Sequence, residues 1–410
     1  MSVGIEAINF YGGSAYVDVI EIFKHRNLDL ERYDNLMLDR KAVGAPWEDP
    51  VTNAVNAAKP IIDRMSEADK SRIELVVASS ESGIDFGKAL STYVHDYLGL
   101  SKTCRIFEVK QACYGGTAAF QMANCFVASQ VSPGAKALVL STDIARAAAK
   151  GTYVEPSQGV GAIAMVVGEN PEIMELDFGA VGYHSYEVMD TCRPAPDIET
   201  GDPDLSLLSY LDCLENSYHK YAQKVEGVDL ATTFDYFAFH TPFAGMVKGG
   251  HRKLMSSVLN MKPALIKEDF EKRVRPSLNF CVQVGNVYSA TLYLALCSLV
   301  STAEIDTPKR VGFFSYGSGC SSEFYSGIVT SYSQKKILDL NIQKKLDDRY
   351  HLSFEEYDHL LDLDMEWKFG IQDKKADPSS FRALYEHSFE GKGLLVLNQI
   401  KGFHREYRWS

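Results

Sequence analysis

The feature that most constrains the fold is a set of short apolar runs that lack the alternation of a half-exposed strand. These runs are "IELVVASS" (73–80), "KALVLSTD" (136–143), "AIAMVVG" (162–168), "FDYFAFH" (234–240) and "RVGFFSYGSG" (310–319). Helical patterns separate them, at roughly 51–66, 115–130, 207–224 and 287–301. Strands that are apolar on both faces belong to sheets covered on both sides. The sequence therefore predicts an α/β protein whose sheet lies between layers of helices.

The two halves of the chain carry a similar segment. "ACYGGTAAFQMANCFVASQ" and "VGNVYSATLYLALCSLV" each place a polar residue in a glycine-containing turn ahead of an apolar helix. Buried helices are often built in this way, so the match suggests an internal duplication without establishing one. A chain of 410 residues has room for two domains or for one duplicated domain.

Beyond residue 332 the composition changes. This part is charged and amphipathic, and "SFEE" (353–356) has the form of a helix capping box. We interpret 333–410 as a helical extension packed on the core, with a short strand at "GLLVLNQI" (393–400).

Composition and charge exclude several classes of function. The net charge of −12 and the absence of a basic tract argue against nucleic acid as a partner. No apolar run reaches the length of a membrane span. The N-terminus has no basic leader, and the eight dispersed cysteines form no Cys-x-x-Cys pair. These features predict a reduced, cytoplasmic protein without a metal site.

Cys113, in "QACYGGTAAF", is a candidate nucleophile. A thiol at the first turn of a helix lies near the positive end of the helix dipole, which favours the nucleophilic thiolate. Gly115 and Gly116 leave room for a substrate beside it. The alternative is a buried structural cysteine, which is the commoner fate of a lone cysteine.

Two further side chains follow buried strands. Glu81, in "VVASSESGID", lies at the edge where α/β proteins build their sites, and partial burial would raise its pKa to that of a usable general base. His240 closes "FDYFAFHTPF", where it could transfer a proton or donate to a carbonyl oxygen. The alternatives are a capping or surface glutamate and an ordinary core histidine.

Taken together, these segments resemble the 3-hydroxy-3-methylglutaryl (HMG) synthases of the thiolase superfamily. The similar motifs occur in order along almost the whole chain and end in a terminal "HREY". They are "ESGID", "QACYGGTAA", "STDIA", "EPSQGVGAIAM", "FHTPF", "VGNVYSATLYL" and "YGSGCSSEFYS".

The resemblance implies a duplicated five-layer α-β-α-β-α fold, usually found as a homodimer. It places Glu81 and Cys113 in an N-terminal half (1–170), and His240 and Asn286 in a C-terminal half (171–332). The C-terminal helical extension (333–410) packs on these halves.

The resemblance also implies the catalytic roles. Cys113 would be acylated by an acetyl thioester, Glu81 would remove and return protons, and His240 would polarise the acceptor ketone. The residues with an implied substrate-binding role are Asn286, Tyr288, Gly317 and Ser318. The backbone N–H groups of Cys113 and Ser318 would stabilise the enolate oxygen.

The sequence departs from the family members that use coenzyme A. In those enzymes a lysine follows the His-x-Pro-aromatic segment at the position held here by Gly245, and an aromatic residue holds the position of Cys192 in "DTCRP". These departures are similar to the branch that acts in polyketide pathways such as that of curacin. That branch implies acetyl-donor and β-ketoacyl-acceptor carrier proteins as partners. It implies no resident cofactor, since phosphopantetheine arrives on the carrier.

Carrier proteins are acidic, so an enzyme of negative net charge must dock them through a local basic surface. Lys248, Arg252 and Lys253, shortly after His240, are our candidates, although they could equally form an ordinary solvated surface.

The competing functions are an HMG-coenzyme A synthase, a decarboxylative ketosynthase and a catalytically inactive carrier-binding scaffold. The aldol route needs a base to remove a proton from an unactivated methyl group, whereas decarboxylation forms the carbanion without one. Glu81→Gln is therefore expected to abolish condensation and to spare acetylation of Cys113.

Overall fold

The structure is a computed structural model that describes residues 2–145, 149–195 and 198–410. The strands are β1 (Gly4–Tyr11), β2 (Ala15–Asp18), β3 (Arg40–Val43), β4 (Ile73–Ser79), β5 (Arg105–Val109), β6 (Lys136–Ile144), β7 (Val160–Gly168), β8 (Met174–Ser185), β9 (Thr191–Ala195), β10 (Ile198–Gly201), β11 (Tyr236–Phe239), β12 (Lys309–Gly317), β13 (Ser321–Val329), β14 (Tyr350–His351), β15 (Lys374–Lys375), β16 (Leu395–Lys401) and β17 (His404–Trp409).

The helices alternate with these strands over much of the chain. The α-helices are α1 (Val19–His25), α2 (Leu30–Leu36), α3 (Pro50–Ile62), α4 (Glu67–Ser71), α5 (Ser91–Tyr97), α6 (Gly115–Ala128), α7 (Pro203–Lys224), α8 (Ala244–Leu259), α9 (Pro263–Arg273), α10 (Thr291–Thr302), α11 (Ser331–Leu338), α12 (Ile342–Asp347), α13 (Phe354–Asp364) and α14 (Arg382–Ser388). Short 3₁₀ turns span Glu155–Ser157, Arg275–Leu278, Cys281–Gln283, Tyr288–Ala290 and Pro378–Phe381. Every strand and helix expected from the apolar runs and helical patterns is present, with bounds that differ by a few residues.

The main sheet repeats one strand order in its two halves. Its nine strands run β11-β12-β13-β8-β1-β7-β6-β4-β5. From the middle outward, β1-β7-β6-β4 and β8-β13-β12-β11 use the same senses: two antiparallel pairs and then a parallel pair. The edge strand β5 lies beyond β4, and among the described strands it has no equivalent beyond β11. The internal duplication suggested by the two helical segments is therefore confirmed by topology.

Three apolar clusters show how the layers stack. One cluster joins α6 and α10 to one face of both halves of the sheet. A second packs α3 and α5 on the other face of the N-terminal half, and a third packs α7 and α8 on the other face of the C-terminal half. The order is helix, sheet, central helices, sheet, helix. This is the five-layer arrangement expected from the sequence.

The C-terminal part contains more strand than predicted. Its helices α11 to α14 are accompanied by a three-stranded sheet, β15-β16-β17, of which the sequence indicated only β16. This part shares an apolar cluster with N-terminal residues such as Val17 and Trp47. It therefore completes a core begun near the start of the chain. Among the described residues, the helices lack the combined length and apolar character needed to cross a lipid bilayer.

Candidate active site

The duplication places the candidate residues at equivalent positions in the two halves. Glu81 follows β4, and His240 follows β11, which is the equivalent strand. Cys113 precedes α6, and Asn286 precedes the 3₁₀ turn that leads into the equivalent helix α10. Each half therefore supplies one residue after a strand and one before a central helix. The duplication therefore accounts for the matching positions of these four residues.

Glu81 and Cys113 are in direct contact. The thiol of Cys113 donates a hydrogen bond to Oε1 of Glu81 over 2.9 Å. Cys113 is partly exposed, so a substrate can reach it. Burial, followed by the charge of Asp143, raises the pKa of Glu81 to about 7. A carboxylate with this pKa is a competent proton acceptor at neutral pH.

The prediction that the helix terminus favours the thiolate is wrong for the resting enzyme. Burial, and then the charge of Glu81 beside it, raises the pKa of Cys113 well above its usual value. Cys113 lies ahead of the first residue of α6, next to a carboxylate rather than a cation. Cys113 is therefore a thiol in the resting state, and Glu81 is the adjacent group able to accept its proton.

The loop that carries Cys113 is held in a strained turn against the loop after β12. Ala112 has φ of 44°, a left-handed conformation that costs on the order of 1 kcal/mol for a residue other than glycine. A Cβ atom at Gly317 would lie 2.5 Å from the backbone nitrogen of Tyr114, so only glycine permits this approach. Gln111 Nε2 donates to the carbonyl of Ser318 over 3.5 Å. Gly317 and Ser318 therefore border the loop that carries Cys113.

Asp190 anchors that second loop. Its Oδ1 accepts from the N–H of Gly319 over 2.9 Å, and its Oδ2 accepts from the hydroxyl of Tyr316 over 2.5 Å. Asp190 is completely buried, so both bonds are shielded from water. No motif in the local sequence marks Asp190 as functional.

Asp143 joins the Glu81 loop to the turn that follows Asn286. Its Oδ1 accepts from the backbone N–H groups of Glu81 and Ser82, and its Oδ2 from the N–H and hydroxyl of Ser289. A Cβ at Gly116 would lie 2.2 Å from the carbonyl of Ser289, so α6 and this turn are in close contact. Asp143 was present in the quoted "STDIA" motif, but its contacts lie far away in sequence.

Asn286 and Tyr288 lie on the turn before α10. Asn286 Oδ1 accepts from the N–H of Tyr288 over 2.8 Å and from the hydroxyl of Thr291 over 3.0 Å, and neither bond uses the donor group Nδ2. Tyr288 has φ of 47°, and its buried hydroxyl has no hydrogen-bond partner within the described part of the chain.

His240 is 2% exposed and is fixed by its backbone. Its N–H donates to the carbonyl of Phe314 in β12 over 2.8 Å, and its carbonyl accepts from the hydroxyl of Tyr210 over 2.9 Å. Burial lowers the pKa of His240 to about 3. Its imidazole is therefore neutral at physiological pH, and a neutral ring can donate one N–H to a carbonyl oxygen.

The three candidate docking cations lie on α8. Lys248 and Arg252 are exposed and four residues apart, hence on one face of the helix. Lys253 forms an ion pair of 2.9 Å with Glu215. His251, from the same basic stretch, is buried and contacts Asp269. All three cations are exposed, and among the described residues the ion pair to Glu215 distinguishes Lys253 from Lys248 and Arg252.

Comparison with known proteins decides the family. The family model described as hydroxymethylglutaryl-coenzyme A synthase N terminal matches residues 1–172, and the corresponding C-terminal model matches residues 256–389. The protein belongs to the hydroxymethylglutaryl-coenzyme A synthase family. It is therefore a condensing, acyl-transferring enzyme, and its fold is the thiolase fold expected from the sequence.

Individual relatives of this HMG synthase span its full length. The polyketide biosynthesis 3-hydroxy-3-methylglutaryl-ACP synthase PksG of Bacillus subtilis is 54% identical, over 100% of this chain and 99% of its own. The hydroxymethylglutaryl-CoA synthase of Enterococcus faecalis is 33% identical, over 89% and 94%. The curacin-pathway HMG synthase crystallised with acetyl donor-ACP is 53% identical, with a TM-score of 0.98 and complete coverage of both chains.

Proposed function

We propose that this HMG synthase takes an acetyl group from an acyl carrier protein and adds it to a β-ketoacyl group on a second carrier, as in polyketide β-branching. Cys113 Sγ attacks the acetyl thioester while its proton passes to Glu81, and the carrier leaves as a thiol after taking this proton from Glu81, which becomes a carboxylate again. Glu81 then removes a proton from the methyl group of acetyl-Cys113. The resulting carbanion attacks the acceptor ketone, and Glu81 returns the proton to the new alkoxide. Water hydrolyses the enzyme thioester.

The remaining site residues fit this sequence of steps. Neutral His240 donates to the acceptor ketone, while the N–H groups of Cys113 and Ser318 bind the enolate oxygen. The Nδ2 group of Asn286 and the free hydroxyl of Tyr288 are suited to hold the acceptor thioester. Gly317 keeps the Ser318 loop close to Cys113. In this proposal the phosphopantetheine arm comes with the carrier, so no resident cofactor takes part.

The preference for carrier proteins over coenzyme A is supported by the surroundings of Gly245. A Cβ at this position would lie 1.8 Å from the carbonyl oxygen of Asn35, because the end of α2 packs against the start of α8. The lysine that the resemblance places here in coenzyme A enzymes therefore has no room. The names of the relatives PksG and the curacin-pathway synthase support the same preference.

The test is intact-protein mass spectrometry of acetyl uptake. We expect Cys113 to become acetylated from acetyl-carrier protein at least about tenfold faster than from equal concentrations of acetyl-coenzyme A. Equal or faster uptake from acetyl-coenzyme A would instead favour an enzyme of primary metabolism. Peptide mapping of the modified chain confirms that Cys113 carries the acetyl group.

We propose that Lys248 and Arg252 contribute to docking an acidic carrier protein. We expect Lys248→Glu combined with Arg252→Glu to raise the apparent KM for the acceptor carrier by about tenfold and to leave kcat nearly unchanged, because exposed charges act mainly on encounter. The matched control is Lys335→Glu combined with Lys344→Glu, which makes the same charge change at exposed residues of α11 and α12. Equal KM values for the two double variants would reject this docking surface.

We further propose that the enzyme is a cytoplasmic homodimer. Strand β5 lies at the end of the main sheet, and its apolar Ile106 and Phe107 remain incompletely buried. On the following helix α6, Met122 is 45% exposed. An edge strand beside exposed apolar surface is suited to pairing with a second copy. All eight cysteines are free thiols, as a reducing compartment requires. A solution mass equal to one chain would contradict the dimer.

A further inference from the structure

Arg193 connects the segments of the active site. Its Nη1 donates to the carbonyl oxygen of Glu81 over 3.2 Å, and its Nη2 donates to Oε2 of Glu199 over 2.7 Å. Its guanidinium carbon lies 5.2 Å from the ring centroid of Tyr288. The side chain is only 19% exposed. One buried cation thus contacts the Glu81 loop, the hairpin of β9 and β10, and the turn that carries Asn286.

Glu199 extends this connection to Asn286. Its second oxygen, Oε1, accepts from Gln158 Nε2 over 3.0 Å. Gln158 in turn forms an isolated backbone bridge with Asn286. Arg193 and Glu199 therefore act as one unit that lies between the two halves of the site.

The groups around Glu81 are mostly acidic. Those that influence it electrostatically are Asp143 on β6, Cys113 before α6, Arg193 on β9, Glu199 on β10 and Tyr288 on the 3₁₀ turn. Arg193 is the only cation in this set of described residues. Asp143 and Glu199 raise the pKa of Glu81, and Arg193 lowers it. Without that cation, burial beside Asp143 would favour the protonated carboxyl group.

We propose that Arg193 is a positioning residue that favours the ionised form of Glu81 and that Glu199 limits this effect by sharing the guanidinium. The inference rests on the proposed role of Glu81 as the proton acceptor for Cys113. It assigns a specific function to the Arg193–Glu199 pair. Arg193 lowers the pKa of Glu81 and Glu199 raises it, so replacing the two residues should shift that pKa in opposite directions.

The test measures alkylation of Cys113 by iodoacetamide as a function of pH, with peptide mapping to separate it from the exposed Cys125. In the parent protein the rate should rise as the pH passes about 7, where Glu81 becomes a carboxylate. Arg193→Gln is expected to move this midpoint up by about one pH unit. Glu199→Gln is expected to move it down. Arg193→Lys, which retains the charge, should stay near the parent.

The matched control is Arg405→Gln, because Arg405 is also largely buried and paired with a carboxylate, Asp49. It should not change the midpoint. Midpoints that move in the same direction in Arg193→Gln and Glu199→Gln, or that do not move, would overturn the proposal and leave a purely structural role. Alkylation needs no acetyl donor or carrier protein. A failed carrier reaction with shifted midpoints would therefore reject the proposed function and keep this inference.

Discussion

Glu81→Gln is expected to reduce condensation by about 10⁴-fold and acetylation of Cys113 by about 10²-fold. Glutamine can still accept a hydrogen bond from the thiol of Cys113, but it cannot take the proton. The sequence alone predicted that acetylation would be spared. The 2.9 Å hydrogen bond changes that expectation, because the resting thiol has a raised pKa and its nearest acceptor is Glu81. Condensation should suffer more, since a methyl group is a far weaker acid than a thiol.

The pH dependence gives a second measure of the same substitution. In the parent enzyme, acetyl uptake should rise as the pH passes about 7, because Glu81 must be a carboxylate to act. This rise should disappear in Glu81→Gln. Uptake is followed by intact mass, and condensation by product on the acceptor carrier. Glu108→Gln is the control, since burial also raises the pKa of Glu108 and its carboxylate bonds only to the backbone of Leu90 among the hydrogen bonds found. Acetylation at the parental rate in Glu81→Gln would refute base catalysis at this step.

The sequence predicted the elements that are apolar throughout. Strands such as β4, β6 and β7 are buried on both faces and therefore appear as continuous apolar runs. The two central helices were recognisable for the same reason. Strands such as β8 and β13 were missed, because β8 mixes exposed and buried residues and β13 is rich in serine. Their places in the sheet follow from long-range pairing and not from local pattern.

The candidate catalytic residues were also recognisable, since each stands next to a glycine-rich turn or at the end of an apolar strand. Their supporting residues were not. The side chains of Asp143 and Asp190 contact residues between 61 and 146 positions away in the chain, and Arg193 reaches Glu81 across 112 positions. Contacts over such distances leave no pattern in the spacing of nearby residues along the sequence. The segment "DTCRP", which contains Arg193, differs from the coenzyme A enzymes at Cys192, and this difference gives no sign of a role for Arg193.

The protonation state of Cys113 shows why position on a helix is insufficient. The sequence placed the thiol near a positive helix end, which favours the thiolate. It could not show that Glu81, 32 residues earlier, would face the sulfur directly. A buried negative charge in contact with the thiol outweighs a helix dipole worth about 1 kcal/mol. The same contact gives the unionised thiol a direct route to lose its proton to Glu81.

Cys113→Ala is expected to abolish acetyl uptake and to reduce product formation by about 10⁵-fold or more, to background. The acetyl group has no other thiol to which it can transfer productively. Cys125 is exposed on α6, which follows Cys113, and it lies 12 residues further along the chain. Cys125→Ala is therefore the matched control and should keep full uptake.

The small side chain at position 113 makes this result interpretable. Alanine removes one partly exposed sulfur atom and retains the Cβ, so the thermal midpoint should remain close to that of the parent. The loss of the thiol also removes a hydrogen bond that lowers the pKa of Glu81, so the carboxyl group should titrate at higher pH in Cys113→Ala. Acetyl uptake or product formation above background in a folded Cys113→Ala would mean that the acetyl group does not pass through this sulfur. The aldol condensation would then have to start from the carrier-bound acetyl thioester, with Glu81 acting on a methyl group that the enzyme has not anchored.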